Sequence, residues 1–331
     1  MLSVFKERPS IVLEAQKAKF KPHFIIQILI FIGVFLAIQV AMVIPLFVYG
    51  LVSIFKLSAG GMLLLEDPNS LTGLVFEFQN KMILPSLICT VLMTILTVIY
   101  CKAIEKRSLY SMGFVRKKAF SDYIIGGGIG LLMLSTALLI AFLCGTVTYE
   151  GYILGNGTGL LLLFLLGFII QGMGEEVFLR GYFMVSVASR NSVLLAVISN
   201  SVLFALLHIF NNGIDVIPLI NLMLFGIFAS IYTLKTDSIW GICALHTTWN
   251  FAQGNIFGIK VSGIDTQVSL FSFKLKEAGA LINGGAFGLE GGIAVTLVLI
   301  IGIFILLSIE GRGLNNESHI KIGDINEGEN L

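Results

Sequence analysis

Eight stretches of this chain are apolar for long enough to cross the roughly 30 Å of hydrocarbon in a bilayer. They lie near residues 24–50, 82–101, 123–146, 158–185, 192–210, 215–234, 238–256 and 291–309. In hydrocarbon every backbone N–H and C=O must find a partner inside the protein, so only helices and closed barrels span. The period-two alternation of a lipid-facing barrel strand is absent. The expected fold is therefore all-α, a polytopic membrane helix bundle of about eight transmembrane helices. Composition agrees, with 56% of the 331 residues hydrophobic and 12% charged. A soluble domain of this length needs roughly twice that charged fraction to cover its surface. A net charge of +1 leaves no case for a nucleic-acid partner. Cys89, Cys101, Cys144 and Cys243 lie in or beside apolar spans and form no CxxC pair, which argues against a disulfide framework and a thiolate metal site.

Lysine and arginine set the expected orientation. Residues 1–22 are polar and basic, and the apolar run that follows far exceeds a signal-peptide core, so the first span reads as a retained anchor. Fifteen basic residues collect on one side, from the N-terminal segment, the loop after span two (Lys102 to Lys118), Arg190, Lys235, Arg312 and Lys321. Five collect on the other: Lys56, Lys81, Lys260, Lys274 and Lys276. The positive-inside rule then puts both termini in the cytoplasm of an integral membrane protein, and an even number of spans agrees. Of the outer loops 51–81 and 257–290, the second is a candidate lid, with an ordinary connector the simpler expectation. The polar tail from Arg312 is expected to be disordered.

The costly feature is Glu175-Glu176-Val177-Phe178-Leu179-Arg180, directly after the apolar run 160–170. Each such charge costs about 2.5–3.5 kcal/mol at mid-bilayer, while each Leu, Ile or Phe returns about 0.3–0.6. The chain must supply partners, and intramembrane charge marks a functional site by default. Glu176 and Arg180 are i, i+4 and can neutralise each other, whereas Glu175 has no i+4 cation. Two of the four histidines lie in apolar spans, within Phe204-x-x-x-His208 and His246-x-x-x-Asn250, each pair on one helix face. His23 and His319 read as solvated surface residues. A carboxylate pair, two imidazoles and a carboxamide on three helices support two chemistries. In one, a carboxylate acts as general base on water, with imidazole and carboxamide N–H groups holding the oxyanion. In the other, Glu175, His208 and His246 ligate zinc and leave a fourth position for water. Either attacks a carbonyl. No Ser-His-Asp grouping or HExxH motif competes. Taken singly, each element has a plainer reading as a structural ion pair or interhelical hydrogen bond. Together they are harder to dismiss, because all mid-span ionisable residues fall between 175 and 250.

At these residues the chain resembles the CAAX-protease and bacteriocin-processing (CPBP, or Abi) family of intramembrane endopeptidases, whose pattern is EExxxR, FxxxH and HxxxN/D on successive helices. All three occur here in that order, and Arg107-Ser108-Leu109-Tyr110-Ser111-Met112-Gly113-Phe114 is similar to the basic segment that precedes the family's core. The resemblance covers about 105–256. It divides the chain into an N-terminal segment with two spans (1–104), a CPBP-like catalytic core (105–256), and an outer loop, last span and tail (257–331). It implies that Glu175 activates water with help from His208, that His246 and Asn250 form an oxyanion site, and that Glu176, Arg180 and Phe204 support them. It leaves zinc and a metal-free mechanism both open. The implied substrate is a peptide or membrane-anchored protein met at the lipid bilayer, with peptide maturation or self-immunity preferred to prenyl processing. A non-catalytic immunity or regulatory protein and a proton-coupled transporter are the rival classes. The transporter is disfavoured by the lack of a two-fold repeat or matched Pro-broken helices. One tension follows from the span boundaries, which set His208 several residues off level with Glu175. Either the helix continues beyond Arg180 and shifts span five, or the site lies near mid-bilayer.

Overall fold

The computed structural model describes the backbone of residues 3–60 and 68–311 and the side chains of 4–54 and 77–311. The expected disorder of the tail from Arg312 lies outside the described residues, as do His319 and the middle of the first outer loop. Each of the eight apolar stretches is helical. The helices are α1 (Phe24–Gly60), α2 (Pro68–Cys89), α3 (Val91–Tyr100), α4 (Ala119–Leu143), α5 (Thr158–Glu176), α6 (Val185–Arg190), α7 (Val193–Leu206), α8 (Val216–Thr236), α9 (Trp240–Phe251) and α10 (Ile293–Ser308). Among the described residues, five helical runs are long and apolar enough to cross a membrane: Phe24–Ile54, Glu77–Glu105, Ala119–Leu143, Thr158–Arg190 and Val216–Thr236. α7 and α10 are apolar but shorter. The polytopic bundle expected from the sequence is what the chain forms.

α9 is enclosed by its neighbours. From Gly241 to Asn250 only Thr248 escapes full burial, so its polar side chains face protein rather than lipid. Small residues make this possible. Gly126 and Gly130, one turn apart on α4, touch α9 so closely that an added Cβ would come within 1.9 Å of the Gly241 carbonyl and 2.4 Å of the Leu245 carbonyl. On the other flank, Gly172 of α5 lies against the backbone of Thr247 and Cys243. Thr248 donates from Oγ1 to the Gly127 carbonyl (2.8 Å), which fixes α9 along α4.

α5 does not end at its charged triplet. It runs on through a π-helical stretch, Val177–Met184, into α6. π-helix is rare because its wide turns pack the backbone poorly, and here a buried cation holds it. Arg107 donates to the carbonyls of Gly181 (2.9 Å) and Tyr182 (3.2 Å), to Ser186 Oγ (2.7 Å) and to Glu105 (3.0 Å). This extension removes the depth tension by the first of its two routes. Glu175 stands fifteen residues before Arg190, and His208 fifteen after Val193, at the start of the antiparallel return. At about 1.5 Å per residue both sit roughly 22 Å from that turn.

Both ends of the described chain lie at that same end of the bundle. Arg190 donates to the Lys21 carbonyl, and Lys235 to the Ile309 carbonyl. The N-terminal segment is docked there rather than simply solvated. Val4, Ile11, Val12 and Ala15 are fully buried, and the Ile11 N–H donates to Asp237 Oδ1 at 2.9 Å. Burial pushes the Asp237 carboxyl above the usual aspartate value, and the hydrogen bond from Ile11 pulls it partly back.

The opposite end carries a small antiparallel ribbon of β1 (Val147–Tyr152) and β2 (Phe271–Leu275), in register Val147↔Leu275 to Tyr152↔Phe271 with a bulge between Tyr149 and Gly151. Aromatic residues face each other across it, and Tyr149 meets Phe273 at 5.1 Å. The ribbon ties the long outer loop to the connection between α4 and α5.

Candidate functional site

The adjacent glutamates point to different partners. Successive helical residues project about 100° apart, so α5 offers Glu176 inward to α9 and Glu175 to a cavity beside it. Glu176 and Arg180 are both wholly buried, and Arg180 Nη1 donates to Glu176 Oε1 at 2.9 Å. The same oxygen lies 2.8 Å from His246 Nδ1. A carboxylate only accepts, so this geometry puts the Nδ1 proton of His246 on that contact. The Arg180 guanidinium also stacks 4.8 Å above the Phe204 ring. The ion pair expected from i, i+4 spacing is present, and it reaches a third group.

Glu175 is one-fifth exposed. Its Oε1 accepts from Gln171 Nε2 at 2.5 Å, while Oε2 has no hydrogen-bond partner among the described residues and stands 3.8 Å from His246 Nε2. Asn250 donates from Nδ2 to Gln171 Oε1 at 3.0 Å. Gln171 thus links the carboxamide of one motif to the carboxylate of another. It was missed in the sequence, although a carboxamide one turn before Glu175 inside an apolar span was a legible signal.

His208 follows the last turn of α7. Its Nδ1 lies 2.8 Å from the Phe204 carbonyl, which can only accept, so Nε2 is left with its lone pair. Phe204 packs against His208 (4.8 Å) and meets His246 edge-on (6.2 Å). Glu175 from α5, His208 from the turn after α7, and His246 and Asn250 from α9 all line one cavity of about 340 Å³. Phe204 lines it too, whereas Glu176 and Arg180 stand behind its wall.

The outer loop 257–290 is a wall of this cavity rather than the ordinary connector expected. Val261, Ser262, Ile264, Thr266 and Glu290 face it. Polar side chains of the bundle hold the loop down at backbone carbonyls that lie outside β2. Asn211 Nδ2 donates to the Ser262 carbonyl (3.1 Å), Asn255 Nδ2 to the Val268 carbonyl (2.7 Å), and Asn221 Nδ2 to the carbonyls of Glu290 (2.8 Å) and Gly292 (2.9 Å). The Glu290 carboxylate accepts from the Ser262 N–H, from Ser262 Oγ (2.6 Å) and from Trp249 Nε1 (3.4 Å). Burial pushes this carboxyl above the usual glutamate value, and the Ser262 hydrogen bonds pull it partly back. No local sequence signal marked Glu290.

Zinc can be tested against the donors. Among the described residues no group of three His, Cys, Asp or Glu side chains is gathered to hold an ion. Glu175 and His246 approach each other, and His208 is not gathered with them. As placed, the three do not fit a three-ligand zinc site.

The model of a family described as Type II CAAX prenyl endopeptidase Rce1-like matches residues 157–252. The match spans EExxxR, FxxxH and HxxxN, and it is consistent with the CPBP resemblance. No curated protein and no solved structure matches the chain.

Proposed function

We propose that the chain is an intramembrane endopeptidase in which Glu175 is the general base. The observation that carries this is the division of labour between neighbours. Glu176 Oε1 is engaged by Arg180 and His246, and its Oε2, unpartnered among the described residues, is shut behind the cavity wall, while the unpartnered oxygen of Glu175 belongs to a side chain that lines the cavity. Gln171 fixes Oε1 and aims Oε2 at the cavity beside His246. The 3.8 Å gap between Oε2 and His246 Nε2 is too long for a direct hydrogen bond and suits one water held by both.

In the proposed step the water oxygen attacks the peptide carbonyl carbon as its proton passes to Glu175 Oε2. The carbonyl oxygen, now negative, accepts hydrogen bonds from the Asn250 amide and from His246 protonated on both nitrogens, with Glu176 as counter-charge. The C–N bond then breaks, and the proton held by Glu175 goes to the leaving amine. His208, with Nε2 free, assists proton movement from the far wall. No metal enters these steps. The substrate is a peptide or membrane-anchored protein, with leader-peptide maturation preferred to prenyl-tail removal. The end holding the N-terminal segment faces the cytoplasm, following the basic residues there.

The test uses purified protein in proteoliposomes, given a prenylated CAAX peptide and, separately, membrane proteins of the native host, with products read by mass spectrometry. New N-termini should appear with the wild-type protein and fall at least about a hundredfold with Glu175→Gln. Undiminished cleavage by Glu175→Gln would remove Glu175 as base. Loss of activity on chelation, with recovery in zinc, would overturn the metal-free route.

A further inference from the structure

We propose that Glu290 and Trp249 form a subsite for a cationic group of the substrate, a lysine or arginine side chain near the scissile bond. This rests on reading the cavity as a peptidase site. Three independent observations carry it.

The first is a prearranged charge. Glu290 comes from the outer loop, beyond the three motifs, and is nine-tenths buried. Ser262 N–H, Ser262 Oγ and Trp249 Nε1 fix the orientation of its carboxylate, and Asn221 fixes its backbone. A ligand meeting it has no side chain left to order, which favours tight, directional pairing.

The second is the wall beside it. Phe204, Phe225 and Trp249 run side by side along the cavity, with ring centroids 5.6 and 5.7 Å apart, and Trp249 reaches Glu290. Aromatic rings next to a carboxylate attract a cation by charge and by their ring quadrupoles.

The third is charge balance. Among the described residues, Glu175 and Glu290 line the cavity and no lysine or arginine does; of the two histidines there, His246 is paired with Glu176 behind the wall and His208 is bound through Nδ1 to a backbone carbonyl. The nearby Arg180 stands behind the wall, committed to Glu176. Inside a membrane protein two carboxylates on one cavity repel an acidic side chain and are offset by a basic one. A role for Glu290 as loop latch alone accounts for the first observation but not for the other two.

The experiment gives proteoliposomes of the full chain a synthetic peptide mixture of equal lengths with apolar flanks. Lys, Arg, Gln or Glu is placed in turn at each position within four residues of the centre, and cleavage is quantified by mass spectrometry. At one subsite the wild-type protein should cleave Lys and Arg peptides with kcat/KM about tenfold or more above the Gln counterpart, and Glu slowest. Glu290→Gln should bring that ratio close to one, and Glu290→Lys should favour Glu. A wild-type profile indifferent to charge would overturn the proposal whether or not the variants fold, and so would a ratio that survives Glu290→Gln. Cleavage that needs Glu175 but ignores charge removes this subsite alone. Cleavage of no peptide by the wild type removes both it and the peptidase reading.

Discussion

Arg180→Met tests whether the buried cation is a scaffold for the site. Arg180 and Glu176 have no solvent exposure, and their contact is 2.9 Å. Methionine keeps much of the aliphatic stem and removes the charge, leaving Glu176 buried with only His246 Nδ1 as donor. Breaking one side of a buried pair costs about 3–5 kcal/mol, most of it the uncompensated charge left behind. The double variant Glu176→Gln/Arg180→Met removes both charges, and the glutamine Oε1 can still accept from His246. What remains lost is on the order of one hydrogen bond, about 1 kcal/mol. The double variant should therefore be more stable than the single by at least about 2 kcal/mol. Denaturant unfolding in detergent reads this, and the two tryptophans, Trp240 and Trp249, both sit on α9 where the packing changes. Cleavage should not recover with stability in the double variant, because His246 has there lost Glu176 as its counter-charge. Arg180→Met within about 1 kcal/mol of wild type, or a double variant weaker than the single, would refute the reasoning.

Gly172→Ala would place a Cβ 2.8 Å from Thr247 Oγ1, 3.0 Å from Thr247 N and 3.1 Å from the Cys243 carbonyl, so α5 and α9 must separate. It should cost about 1–3 kcal/mol and lower cleavage more than about tenfold, whereas Gly159→Ala, with open space around it, should change neither, as read by thermal unfolding and turnover. Gln171→Leu removes the donor that aims Glu175, so kcat should fall about tenfold with KM little changed, and equal loss in both would show that Gln171 instead shapes substrate binding.

What could be read from the sequence follows from how local each constraint is. Lipid demands long apolar runs, so all eight apolar stretches that prove helical were visible as composition. An α-helix brings residues four apart onto one face, so Glu176–Arg180, Phe204–His208 and His246–Asn250 could be paired by counting. Helix ends were not local in this sense. α5 reaches Arg190 because Arg107, more than seventy residues earlier, caps the carbonyls of Gly181 and Tyr182, and this extension is what brings His208 level with Glu175. The buried N-terminal segment depends on Asp237, over two hundred residues away. Glu290 reaches the cavity because asparagines on three stretches of the bundle hold down a loop whose strand lies elsewhere along it.

The pairing of glutamates has a physical reason of its own. A carboxylate that neutralises Arg180 inside the bundle holds strong donors on Oε1 and is sealed from the cavity, so it cannot act as base on a water there. A carboxylate left free enough to take a proton cannot also offset a fully buried guanidinium. One residue cannot serve both ends, so two are needed, and helical geometry settles which does which. The residue four before Arg180 takes the ion pair, and its predecessor, turned by about 100°, meets the cavity. Exchanging the roles would require moving Arg180 by one position. Arg180 in turn is tied to the ring of Phe204, whose carbonyl orients His208. The three motifs are thus one connected object, in which Arg180 sets the facing of Glu176, Glu176 the proton of His246, and Phe204 the ring of His208.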